Sequence, residues 1–133
     1  MKIRYLLDTD TCISYLRGKF ELRTKLNRIG FDQCAISVIT LGELKFGAEN
    51  SPRREAQWEE TERFVRPLNV FSLFEVLDIY AKEKVRLRKL GQPIGEFDLL
   101  IGATAIRYRL TLVTNNVKHL ERMQHLTIEN WTR

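Results

Sequence analysis

Histidine and cysteine are scarce in this chain, with two of each among 133 residues. His119 and His125 are too few and come too late to build a zinc site. Cys12 and Cys34 sit in unrelated local contexts without metal-ligand spacing, so they read as free, buried, small apolar side chains in a reducing cytoplasm. Long hydrophobic runs are also missing. The longest apolar stretches, around residues 35–42 and 99–106, fall far short of the roughly 18 residues that span a bilayer. Met1-Lys2 leads straight into a strand-like run, with no charged-then-apolar secretory signal. Repeats, linkers and low-complexity tracts are absent too. These absences predict a cytoplasmic protein without a membrane segment, built as one domain over residues 1–133. At 44% hydrophobic and 29% charged, well interspersed, the chain can bury an ordinary core.

The few prolines and glycines punctuate an alternation of strands and helices. Residues 3–8 read as a buried strand, followed by a helix over 9–17 that Asp8 or Asp10 can cap and Gly18 stops. Asp10 is the better pure cap by position. A helix over 19–28 closes at Gly30, and residues 34–36 form a short strand. Ser37 then caps a helix reaching Glu49. Ser51-Pro52 starts a further helix to Arg66, with proline at its first position. A strand over 69–73, a long helix over 74–90, a turn over 91–95 and a helix over 96–109 follow. A strand over 110–114 and a helical turn through Leu120 come next, and a last edge strand lies at 126–128. Strands separated by helices predict a parallel sheet covered on both faces, with ligands at the strands' carboxyl ends.

Against that frame three carboxylates are out of place. Asp8 closes the apolar run Ile3-Arg4-Tyr5-Leu6-Leu7, and Glu43 interrupts Val38-Ile39-Thr40-Leu41-Gly42-Glu43-Leu44. Asp98 opens Leu99-Leu100-Ile101-Gly102-Ala103. Each has a bland reading: Asp8 as a helix cap, Glu43 paired with a buried arginine, Asp98 as a helix-dipole partner. Glu96 reads as the dipole partner in solvent, leaving Asp98 to point inward. Two unit charges about 4 Å apart repel by roughly 4 kcal/mol at an effective dielectric near 20, so acids gathered in one buried pocket call for a cation. Carboxylate oxygens suit Mg²⁺, with Mn²⁺ a plausible substitute. Thr114, Asn115 and Asn116 add hydroxyl and amide oxygens at a strand end. Gly42 and Gly47, costly within a helix, suggest close approach of a ligand or backbone.

Lys and Arg number 22 against 17 acids, so setting the three acids aside leaves a basic excess of eight. A basic body around an acidic, cation-loaded pocket suits a polyanion that must reach a metal, and nucleic acid is the usual one. Arg53 and Arg54 offer phosphate contacts. Lys82, Lys84, Arg86, Arg88 and Lys89 crowd one helix end, where dipole complementarity also accounts for them. Asp8-Thr9-Asp10-Thr11 mimics the Asp-x-Asp opening of haloacid-dehalogenase phosphatases. Cys12 departs from that motif, and no later lysine with an acidic pair completes it. A non-catalytic RNA- or protein-binding domain is the third reading, and it leaves the buried acids unexplained.

Five stretches carry a family resemblance in one order along nearly the whole chain. They are Leu6-Leu7-Asp8-Thr9, Ile36 through Leu44 with Gly47-Ala48-Glu49, Pro93 through Asp98, Leu112 through Asn116, and Ile128-Glu129-Asn130-Trp131. Together they resemble the PIN-domain ribonucleases and, within these, the VapC toxins of bacterial toxin–antitoxin pairs. The resemblance implies a three-layer α/β/α sandwich with a central, mainly parallel sheet. It implies Mg²⁺-dependent cleavage of RNA, with Asp8, Glu43 and Asp98 as metal-site acids and Thr114 and Asn116 assisting. The branch resembled includes enzymes that cut initiator tRNA in the anticodon region. It also implies a homodimer and a VapB antitoxin that inserts a basic segment into the acidic pocket. The family often carries a fourth acid two residues after the strand-end threonine; here that position is Asn116, which implies a single firm metal.

Overall fold

The computed structural model describes residues 2–133, and Leu6, Leu7, Ala35, Ile36, Leu112 and Val113 show how its sheet is held. All six are wholly shielded from solvent. Strands so apolar on both faces belong to a parallel sheet covered twice. Among the described residues five short strands form it: β1 (Tyr5–Leu7), β2 (Cys34–Ser37), β3 (Asn69–Phe71), β4 (Thr111–Val113) and β5 (Thr127–Glu129). Their order is β3-β2-β1-β4-β5, and every pairing is parallel.

Among the described residues seven α-helices cover the sheet: α1 (Thr9–Leu16), α2 (Leu22–Ile29), α3 (Val38–Glu49), α4 (Arg54–Val65), α5 (Leu77–Lys89), α6 (Glu96–Tyr108) and α7 (Val117–Leu120). Strand side chains alternate between two cores. Tyr5, Leu7, Ile36 and Val113 pack with Cys12 of α1, Leu22 and Leu26 of α2, Leu44 of α3 and Phe64 of α4. Leu6, Ala35 and Leu112 pack on the other face with Leu87 of α5, Leu99, Ile101 and Ala103 of α6, and Leu120. Each fully buried leucine contributes about 2 kcal/mol relative to exposure, so the two cores are what hold the layers together. The expected α/β/α sandwich is the one observed.

The sequence-based boundaries shift at places with local causes. The second helix starts at Leu22 rather than 19, because Phe20 and Glu21 both take positive φ, +57° and +53°, and break the chain before it. Pro52 does not open a helix; Ser51 Oγ accepts from the Arg53 amide at 3.1 Å, holding a turn, and α4 begins at Arg54. Residues 74–76 form a 3₁₀ turn, so α5 begins only at Leu77. The last strand is Thr127–Glu129, one residue later than expected.

β1 is central, and the connections leaving it and its neighbour β4 run to opposite sides, to β2 and to β5. The path through α1 and α2 leads to β2 on one side, whereas β4 pairs on the other. Open α/β sheets form a crevice where connections diverge in this manner, outside the strands' carboxyl ends. Asp8 and Thr114 are the residues that directly follow β1 and β4.

The basic end of α5 is partly structural. Arg86 donates twice to Glu83, both bonds 2.8 Å, and once to the Arg122 carbonyl at 2.8 Å. The Gln124 amide donates to the same glutamate at 3.1 Å. Glu83 is 8% exposed, and these donors, Arg86 foremost, hold its carboxyl below the usual range. The depressed pKa means the contribution is present above the unfolded carboxylate range and is lost as pH falls below it. Glu83→Ala should lower stability by about 1–3 kcal/mol near neutral pH, read by urea denaturation, with the gap closing in acid. An unchanged midpoint at neutral pH would show that the network carries no stability.

Candidate active site

Asp8 reaches its position because β1 ends there. Its backbone is extended (φ −70°, ψ 160°), and Oδ1 accepts the Thr9 amide, so Asp8 rather than Asp10 is the N-cap of α1. Its other oxygen accepts from Thr114 Oγ1 at 2.7 Å across the β1–β4 seam. Thr114, fully buried, also takes the Asn116 amide at 3.0 Å on its hydroxyl oxygen. The strand-end threonine thus ties the loop after β4 to the acid after β1.

Asp98 lies in the first turn of α6, half-buried. Asn116 Nδ2 donates to its Oδ2 at 3.2 Å, while Asn116 Oδ1 meets His119 Nδ1 at 2.7 Å. Asn116 therefore turns its amide hydrogens, not its oxygen, toward the acid. Glu96 is not a free dipole partner: Lys84 Nζ lies 2.8 Å from it, and Tyr80 donates to it, pinning the start of α6 to α5.

Glu43 stands to one side, half-buried on α3. Thr9 Oγ1 donates to Glu43 Oε1 at 2.6 Å and lies 3.0 Å from the buried Thr40 hydroxyl. No arginine pairs with it among the described residues. Gly42 and Gly47 meet no neighbouring atom; a Cβ at either would face open space. They and Glu43 line an apolar groove of about 670 Å³, flanked by Ile13, Val38, Phe46 and Phe97. A second, more polar cleft of about 560 Å³ shares Glu43 and carries Arg17 and Arg53. Arg54 instead pairs with Glu49 at 3.2 Å.

Sequence reasoning missed Asp10. Its Oδ2 lies 3.3 Å from both Thr114 Oγ1 and the Asn115 amide, so it faces the loop after β4 and not the end of its own helix. The signal is the Asp8-Thr9-Asp10 spacing, which also reads as a phosphatase motif or a cap. Burial, then the charge of Asp10, pushes Asp8 up to about 7, and Asp98 adds to it; hydrogen bonds from Thr114 and Thr9 pull the other way. Asp98 is raised by burial and then by Asp10. Three aspartates thus share one field, and none of them forms an ion pair among the described residues.

This donor set fits a hard divalent cation. The donors are oxygen, no lysine or arginine pairs with the aspartates among the described residues, and both cysteine thiols are buried: burial pushes Cys34 up to about 12 and raises Cys12, to which the charges of Asp8 and Asp10 add. Among the described residues no three acidic, imidazole or thiol groups close a ready-made shell.

The raised pKa of Asp8 sets the sign of its pH effect. The folded protein holds this proton more tightly than the unfolded chain, so the contribution is present below about pH 4 and lost as pH rises to about 7. In chelator, wild-type stability should fall by up to about 4 kcal/mol across that window, and Asp8→Asn should flatten the curve. Parallel pH profiles for the two proteins in urea denaturation would contradict this.

Residues 5–126 match the model of the PIN domain family. The chain is 34% identical to ribonuclease VapC2 of Rickettsia felis, over 97% of this chain and 98% of the relative. It is equally 34% identical to the tRNA(fMet)-specific endonuclease VapC of Salmonella typhimurium, again over 97% and 98%. The solved DNA-bound VapBC complex from Salmonella typhimurium contains a chain that superposes with a TM-score of 0.91 at 31% identity, over 97% of this chain and 98% of that one. With the parallel sheet, the divergence at β1 and the aspartates at its carboxyl edge, these likenesses agree: the chain belongs to the PIN-domain family and, within it, to the VapC ribonucleases.

Proposed function

We propose that this protein is a Mg²⁺-dependent endoribonuclease, the toxin of a toxin–antitoxin pair, acting on tRNA and specifically on the anticodon region of initiator tRNA. The observation that carries the reading is the pair Asp8 and Asp98, buried or half-buried at the carboxyl edge of the sheet, with no lysine or arginine paired to either among the described residues. The relative named as a tRNA(fMet)-specific endonuclease supports the choice of RNA.

A bound Mg²⁺, or Mn²⁺ in its place, would supply charge neutralisation at the phosphate and lower the pKa of a water. Asp8 and Asp98 would hold it. Thr114 keeps Asp8 oriented through its 2.7 Å bond, and Asn116 keeps Asp98 oriented through its amide. Glu43, positioned by Thr9, receives the proton of the attacking water. Arg53 and Arg17, in the cleft that shares Glu43, position flanking phosphates without reading sequence. The groove lined by Phe46 and Phe97 suits a VapB-type antitoxin, whose basic segment would neutralise the adjacent acids. VapBC complexes are known for the solved relatives from Salmonella typhimurium and Rickettsia felis. Phe74, 83% exposed, adds apolar surface suited to a homodimer contact. No described helix is long and apolar enough to cross a membrane.

Purified protein incubated with total tRNA and Mg²⁺ should yield new ends that map to the initiator tRNA anticodon region, and chelation should stop the cut. Asp8→Asn should abolish cleavage in a folded protein, whereas Glu43→Gln should lower kcat by about 10²–10⁴. Full cleavage by Asp8→Asn or in chelator would defeat the reading, and turnover of a small phosphomonoester without RNA cleavage would favour a phosphatase.

A further inference from the structure

Asp10 is the acid the site has not yet absorbed. It occupies the second position of α1, where a capping role is available, yet none of its recorded partners belongs to the α1 backbone. Its contacts are Thr11 Oγ1 at 3.2 Å, and Thr114 Oγ1 and the Asn115 amide at 3.3 Å. All three lie at the long end of hydrogen bonding. Thr114 has one hydroxyl proton, and the shorter 2.7 Å contact assigns it to Asp8. Asp10 is therefore weakly satisfied, and no lysine or arginine pairs with it among the described residues. It faces the segment after β4 that carries the uncharged Asn116. The field of Asp10 acts on Asp8 and Asp98 together.

We propose that Asp10 supplies the fourth negative charge of the divalent-cation site, the charge that Asn116 lacks. The charge is delivered from the first turn of α1 rather than from the loop after β4. This rests on the reading of the aspartates as a cation site. A carboxylate placed there strengthens cation binding whether it touches the ion or a water in its shell, and its cost is repulsion when no cation is bound. A structural tie would behave oppositely, since removing it would loosen the metal-free protein.

The test is calorimetric titration of the purified, metal-free full chain with Mn²⁺ alone, beside thermal melts in chelator near pH 7.5. Asp10→Asn should weaken Mn²⁺ binding at least tenfold and raise the metal-free melting temperature. Asp10→Glu, which keeps the charge, should bind Mn²⁺ more tightly than Asp10→Asn. Wild-type affinity in Asp10→Asn, or equal weakness in the two variants, overturns the proposal. Asp8→Asn separates the two levels. If it too binds Mn²⁺ like the wild type, the cation-site reading itself fails. If it loses binding while Asp10→Asn does not, only the role of Asp10 falls.

Discussion

Like charges brought together without a counter-charge are the constraint around which this molecule is arranged. Parallel strands deliver their carboxyl ends to one edge, and at that edge the chain places Asp8, Asp10 and Asp98 in one field. The fold tolerates this because its stability is made elsewhere, in two apolar cores on opposite faces of the sheet. Hydroxyls and amides of Thr9, Thr114 and Asn116 hold the acids in place without neutralising them. A site satisfied by neutral donors keeps its charge for a ligand; a site satisfied by arginines would not.

Several of the chain's cations are committed elsewhere. Arg86 serves Glu83, Lys84 serves Glu96, and Arg54 serves Glu49. Arg17 and Arg53 line the cleft beside Glu43. Positive charge thus lines the rim beside Glu43, a placement suited to a phosphate backbone. The apolar groove over Gly42 and Gly47 opens on the same glutamate, so a partner laid in it can reach the acids.

The sandwich was legible because its signals are redundant. Leu6-Leu7, Ala35-Ile36 and Leu112-Val113 read as doubly buried strands, and Ser37 and Gly30 mark real boundaries. Asp8 and Asp98 were legible because an acid beside a buried run is conspicuous. Asp10 was not, since position alone made it look like a cap; only the cross-strand approach of Thr114, 104 residues away in sequence, reveals which way it faces. The direction in which Asn116 turns its amide was hidden for a similar reason. Its amide orientation depends on His119, a contact set by the short α7 turn. Helix starts at 22, 54 and 77 slipped because positive φ values and local turns compete with propensity, and hydrophobic spacing does not record them.

The central claim is that an uncompensated acid cluster waits for a divalent cation. Its most direct test is the melting temperature of the whole protein as Mg²⁺ is added at fixed ionic strength and neutral pH. The wild type should gain several degrees, saturably, and Asp8→Asn should gain none. A wild-type melting temperature indifferent to Mg²⁺ would contradict the account.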